Sequence, residues 1–297
     1  MLSALTATLS DDAFESWGWR VPFLLSGVLV LVGLWIRLSV DESPVFKAAL
    51  ARAEARKAAA GGEDAAENMP LVAVLRHHWR DVLIAMGARM AENISYYVIT
   101  AFVLVYATSD HVGLGKQTAL NAVLIASAVH FAVIPAWGAL SDRIGRRPVY
   151  LLGAVGVGAW AFPFFLLIDT KGFPALLLAV TVGLIFHGAM YAPQAAFFSE
   201  MFATRMRYSG ASIGAQFASV AAGAPAPLIA TALLADYDSA TPIALYVIAA
   251  ALLTLVAVGV AKETRDRDLA AVEPTSAPSP RSATETAERT ARSASAQ

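Results

Sequence analysis

Apolar stretches of membrane-spanning length recur along the chain at 20–39, 82–107, 118–140, 149–168, 173–197, 209–234 and 241–261. A helix needs about 20 mostly apolar residues to cross a hydrocarbon core of roughly 30 Å. Leu, Ala and Val dominate these stretches, without the period-two alternation that marks a transmembrane β-barrel. The pattern predicts an all-α membrane protein with seven transmembrane helices. Two regions interrupt it: a charged linker at 41–80 and a tail at 262–297 rich in Ala, Ser, Thr, Arg and Glu. Residues 44–60 of the linker start with Pro44 and continue through an Ala-rich interior, which predicts a short helix. It reads either as a membrane-surface helix or as a solvated connector. The tail has only Leu269 and Val272 as large aliphatics and is expected to be disordered.

Charge orients the spans. Seventeen of the lysines and arginines outside them fall in 41–80, 141–148, 200–208 and 262–297, while the alternate connections hold only Arg20, Lys116 and Lys171. Cytoplasmic loops carry the excess of positive charge. The expectation is a multi-pass protein of the cell (inner or plasma) membrane, with its amino terminus outside and its carboxy terminus cytoplasmic. Composition agrees with that solvent: 57% of residues are hydrophobic and 15% charged, with a mean hydropathy of +0.58. Soluble domains average about 45–50% apolar and about 25% charged residues, so a soluble enzyme and a disordered chain are both excluded. The absence of cysteine excludes thiolate metal sites and cysteine nucleophiles. A net charge of −1 makes nucleic acid an unsuitable partner. No metal or cofactor is expected.

Against this background the second span is unusual, because it carries Arg89 and Glu92. At about 1.5 Å per residue from Asp81 they lie roughly 12 and 16 Å into the membrane. A charge at a helix centre costs about 2.5–3.5 kcal/mol even on insertion scales. With Asn93 and Tyr96 they form one polar face. Two readings stay open: an internal salt bridge that fixes packing, or a site for substrate and a coupling proton. His130, His187 and Gln194 are weaker candidates in other spans, each also readable as a packing or helix-bridging group. Gln216 reads similarly, as a bridge between helices. Gly210, Gly214, Ala218 and Ala222 form a small-residue ridge read as a packing surface, and Pro225 and Pro227 interrupt the same helix.

The turn after the third span reads Gly138-Ala-Leu140-Ser-Asp142-Arg143-Ile-Gly145-Arg146-Arg147-Pro148. It resembles the G-x-L-x-D-R-x-G-R-R-P signature of the major facilitator superfamily. Residues 17–27 with 41–46, 87–108 and 187–210 are similar to the metabolite:proton symporter branch, whose members include shikimate, α-ketoglutarate, dicarboxylate and proline/betaine transporters. The resemblance implies helices 6–12 of a twelve-helix fold built from two halves. Residues 1–40 would end the amino-terminal half, with 1–10 as a stub of its fifth helix. The linker 41–80 would join the halves, 81–261 would form the carboxy-terminal six-helix half, and 262–297 the tail. A missing amino-terminal half would then be needed for a complete transporter.

The resemblance further implies proton-coupled symport of a small organic acid or zwitterion by alternating access. From the two charges on one helix face, Arg89 would hold a carboxylate of the substrate or pair with Glu92, and Glu92 would carry the proton, with no cofactor beyond that ion. Gly138, Asp142, Arg143, Gly145, Arg146 and Arg147 would form a cytoplasmic gate, Asp142 locking one half against the other. Other readings are a transporter fragment without activity of its own, a seven-helix sensor, and an intramembrane hydrolase built on Ser127 and His130. The sensor lacks a lysine inside any span for a retinal Schiff base. The hydrolase lacks a partner on a second helix.

Overall fold

In the computed structural model of the chain, the described residues are 5, 8–39, 79–201, 212 and 216–265. They contain seven helices long and apolar enough to cross a membrane. These are α1 (Gly18–Ser39), α2 (Trp79–Thr108), α3 (Lys116–Ile144), α4 (Arg146–Ile168), α5 (Phe173–Met201), α6 (Gln216–Tyr237) and α7 (Thr241–Val260). All seven expected spans are present. The helix expected at 44–60, the tail beyond 265, and Gly210 and Gly214 lie outside the described residues.

The structure moves two expected boundaries. The signature segment is expected to be a loop, yet α3 runs through Ile144 and α4 begins at Arg146, so Gly145 alone makes the turn. Its φ of 110° lies where a side chain is strained, and Glu263 Oε2 is 2.7 Å from where a Cβ would sit. The tail also begins later than expected. Residues 262–265 are held at this turn by hydrogen bonds to backbone and side chains of α3, α4 and α5.

Packing is uneven. Helix α5 lies along α4 and α3, while α7 lies along α2 and α4. Consecutive α3 and α4 diverge after their turn and share little contact. Thus α2 is enclosed and most of the hydropathic window within it is buried, whereas α1 buries nothing between Val21 and Ser39. Burial of α2 explains how its low-hydropathy sequence is tolerated: its polar side chains face protein rather than hydrocarbon. Where α7 crosses α2, Thr254 is fully buried, accepting from Ala91 N at 2.9 Å and lying 2.9 Å from Gly87 O.

Both α2 and α6 contain one wide turn of π-helix, at Val98–Phe102 and Ser219–Gly223. The second ends two residues before Pro225, which caps the regular helix of Ala226–Tyr237. The expected interruption at Pro225 is therefore real. Gly223 rests against Asn93 and Tyr97: a Cβ there would be 2.8 Å from Asn93 Oδ1 and 3.0 Å from Tyr97 Cε2. The distortion of α6 thus touches the polar face of α2.

Candidate functional site

Helix periodicity and length determine where the polar groups sit. His130 is 14 residues from each end of Lys116–Ile144, and His187 is 14 residues from each end of Phe173–Met201. Glu92 lies near the centre of Trp79–Thr108. Three helices of similar length that pack together therefore bring these groups to one level, near the middle of each helix.

Glu92 is the hub. Its side chain is 6% exposed, and its Oε2 is 3.5 Å from Arg89 Nη2. The same oxygen accepts from Asn93 Nδ2 at 3.2 Å and from Gln194 Nε2 at 3.1 Å. Gln194 Nε2 also donates to Tyr150 Oη at 3.3 Å, and Tyr150 donates to Ala88 O at 3.0 Å. The other carboxylate oxygen, Oε1, lies 3.5 Å from His187 Nε2. His187 Nδ1 is 3.1 Å from His130 Nε2. The structure thus unites Arg89, Glu92, Asn93, Gln194, His187 and His130 in one network across α2, α3 and α5.

Tyr96 joins through its ring, 5.2 Å from the ring of His187. Tyr191 stacks on the same imidazole at 5.8 Å. Both tyrosines are exposed, so the aromatic rings border the open side of the network. Within this network two buried nitrogens have no hydrogen-bond partner among the described residues, Arg89 Nε and His187 Nε2; a third such nitrogen, Arg146 Nε, lies at the α3–α4 turn. A guanidinium with an unused, buried N–H beside an ion pair is suited to a second carboxylate.

Tyr150 and Tyr191 carry no charge or spacing that marks them in the sequence, and their place in the network is a product of packing. Ser127, the other half of the hydrolase reading, donates to Val123 O of its own helix at 2.7 Å. Gln216 is exposed and stands apart from the network's hydrogen bonds given above.

A second polar cluster surrounds the α3–α4 turn. Arg146 pairs with Asp142, lies 3.5 Å from Glu200 and donates to Ser141 Oγ at 2.8 Å. Arg147 reaches back to the end of α7, donating to Val258 O at 3.0 Å and to Gly259 O. Arg143 contributes its carbonyl, which accepts from Arg265. Gly138 is helical, its carbonyl accepting from Ser141 Oγ at 2.8 Å. Asp142 is mostly exposed; besides Arg147, the groups that tie the turn to distant segments are Glu200 on α5 and Glu263 after α7. Neither stands inside the signature, so reading the motif alone passes over them.

Glu263 accepts four backbone N–H groups: Arg146 at 2.9 Å, Arg147 at 3.0 Å, Thr264 at 3.0 Å and Arg265 at 3.2 Å. Burial by itself would raise this carboxyl, but the four donors hold it below its usual value of 4.5. A depressed carboxylate stabilises the fold above the unfolded value, and that stabilisation is lost as pH falls through the folded value. Thermal unfolding in detergent is therefore expected to show a midpoint that drops on acidification below 4.5. Glu263→Gln should flatten that segment of the profile; an unchanged profile would contradict the assignment.

A family model described as "Sugar (and other) transporter" matches residues 1–275. The shikimate transporter of Escherichia coli K12 is 34% identical over 256 residues, covering 86% of this chain and 56% of its own length. The inner membrane metabolite transport protein YhjE of the same organism is 34% identical over 270 residues, covering 89% and 58% respectively. The proline/betaine transporter of Salmonella typhimurium is 28% identical over 280 residues, covering 91% and 53%. The chain spans about half the length of these relatives, which are named as transporters and not as enzymes. With its seven apolar helices and its matched signature turn, the chain belongs to the sugar (and other) transporter family of the major facilitator superfamily.

Proposed function

We propose that residues 81–261 form the carboxy-terminal half of a proton-coupled symporter for a small organic acid or zwitterion. Residues 1–40 would be the end of the amino-terminal half, and 41–80 would link the two. The reading rests above all on one observation: Arg89 Nε is buried without a hydrogen-bond partner among the described residues, next to the midplane carboxylate of Glu92. In a transporter of this kind the substrate site lies near the midplane between the halves, and rocking of one half against the other gives alternating access.

A substrate carboxylate would engage the free edge of Arg89. The guanidinium would then loosen its 3.5 Å contact with Glu92. Glu92, freed of that partner, would then accept the proton. Substrate and proton would thus bind together and leave together, which is the requirement for symport. The names of the relatives support solutes such as shikimate, proline and betaine as first candidates.

Uptake into energised vesicles by a reconstructed full-length chain, these residues joined to an amino-terminal half, tests the reading. Shikimate, α-ketoglutarate and betaine would be supplied under an imposed inward proton gradient. Gradient-dependent accumulation of one of them, abolished by a protonophore, is expected. Accumulation indifferent to the proton gradient would reject proton coupling.

The cell membrane, with the amino terminus outside and the carboxy terminus cytoplasmic, is the proposed location and orientation. The chain has no cysteine, so single introduced cysteines report sidedness cleanly. Thr170→Cys, in the α4–α5 turn, should react with an impermeant maleimide in intact cells. Arg143→Cys should react only after permeabilisation. The opposite pattern would invert the topology.

A further inference from the structure

We propose that His130 and His187 form the path by which a proton reaches Glu92, with His130 as the port and Glu92 as the terminus. This rests on the reading of Glu92 as proton carrier given above.

The two oxygens of Glu92 are not equivalent. Around Oε2 stand Arg89, Asn93 and Gln194, three donors that leave no room for an incoming proton. Within ion-pair range of Oε1, the described residues place only His187, at 3.5 Å. A proton bound by Glu92 is therefore bound on Oε1, and the adjacent group is His187 Nε2. That imidazole is 1% exposed and cannot exchange with solvent directly. Its other nitrogen, Nδ1, lies 3.1 Å from His130 Nε2, and His130 is only half-buried. The chain Glu92–His187–His130 thus runs sideways at one depth, from the enclosed helix α2 through α5 to the more open α3.

Hydrogen-bond accounting gives this chain two states. In the first, both imidazoles are protonated on Nε2: His130 Nε2–H donates to His187 Nδ1, and His187 Nε2–H points at ionised Glu92. A proton arriving at His130 Nδ1 moves the Nε2 proton of His130 to His187 Nδ1. The Nε2 proton of His187 then passes to Glu92 Oε1. In the second state both imidazoles are neutral and protonated on Nδ1, His187 donates to His130, and the 3.5 Å gap between Glu92 Oε1 and His187 Nε2 closes to a hydrogen bond in which the carboxyl donates. One proton has entered and one has been bound, and each contact keeps one donor and one acceptor. Release runs the same steps backwards.

The surroundings suit this neutral-imidazole relay. Facing groups that titrate or carry charge are Arg89 and Tyr96 on α2, Tyr150 on α4 and Tyr191 on α5. The packed turns of α6 and α7 present Gly223 and Thr254, which do not titrate. Tyr191 stacks on the His187 ring at 5.8 Å and Tyr96 lies tilted against it at 5.2 Å, and these contacts restrict its rotation, so its two nitrogens stay aimed at their partners.

The test uses the purified 297-residue chain in lipid nanodiscs, followed by time-resolved infrared spectroscopy after an acid jump. The carboxylic C=O band of Glu92 is identified as the one absent from Glu92→Gln. In His130→Gln and in His187→Gln the band is expected to reach its full amplitude at least about tenfold more slowly. Added imidazole is expected to restore the rate in His130→Ala, because that port is half open. A wild-type rate in both glutamine variants would overturn the relay and leave Glu92 as carrier. No Glu92 band in the wild-type chain would overturn the carrier and the relay together. If His187→Gln fails to fold, His130→Gln and the imidazole rescue decide alone.

Discussion

Glu92→Gln is expected to abolish accumulation driven by a proton gradient, leaving the internal substrate concentration near the external one. Glutamine keeps the shape of the side chain and its acceptor toward Asn93 and Gln194, but it cannot exchange a proton. Substrate exchange across the membrane without a gradient should persist, because Arg89 is still present. Arg89→Gln should act differently. Removing a charge-assisted hydrogen bond costs about 1.5–3 kcal/mol, which corresponds to roughly a tenfold to hundredfold weaker substrate affinity. The measurement is uptake in vesicles with and without an imposed gradient, at several substrate concentrations. Gradient-driven accumulation by Glu92→Gln would remove Glu92 from coupling. An unchanged half-saturating concentration for Arg89→Gln would remove Arg89 from substrate binding and leave it a packing ion pair.

The second large effect is on stability, where α4 crosses α5. A Cβ on Gly153 would stand 2.8 Å from Phe186 O and 2.9 Å from Met190 N. These are backbone atoms of a packed helix, so the two helices must separate. Overpacking of this kind costs about 1–3 kcal/mol, and Gly153→Ala should lower the unfolding midpoint in detergent accordingly. The neighbouring Gly156 faces the Phe186 ring still more closely, its would-be Cβ falling against Cδ1. Gly33→Ala is the control, since nothing lies within 4 Å of its added methyl group. It should be neutral or slightly stabilising, as Ala favours helix over Gly by about 0.5–1 kcal/mol. Equal behaviour of Gly153→Ala and Gly33→Ala would show that the crossing is looser than the structure has it.

The two predictions also mark where sequence reading succeeds and where it stops. Arg89 and Glu92 announce themselves, because a charge in an apolar run is costly enough to require a reason. The contact ridge of α4 does not. Small residues recur in 153–158 and also at Ala218 and Ala222 of α6, and spacing alone favours neither set. Ala218 and Ala222 are buried, yet the close helix approach that excludes a side chain on both backbone and ring atoms is at Gly153 and Gly156. The signature turn shows the same division. Its residues are legible as a motif, whereas Glu200 and Glu263, which tie the turn to α5 and to the segment after α7, come from distant positions.

By itself the sequence determined the class, the number of spans, their centres and the charges that need an explanation. Those properties depend on the local match between side chains and the surrounding medium, and transfer energies add along the chain. Only the tertiary structure decided that His130, His187, Gln194 and Tyr150 converge on Glu92. Helices fix the depth of a residue from its position, but the partner it meets depends on rotation about the helix axis and on which helices adjoin. Those follow from side-chain interlocking between segments far apart in sequence. Depth was therefore readable from the chain, and company was not.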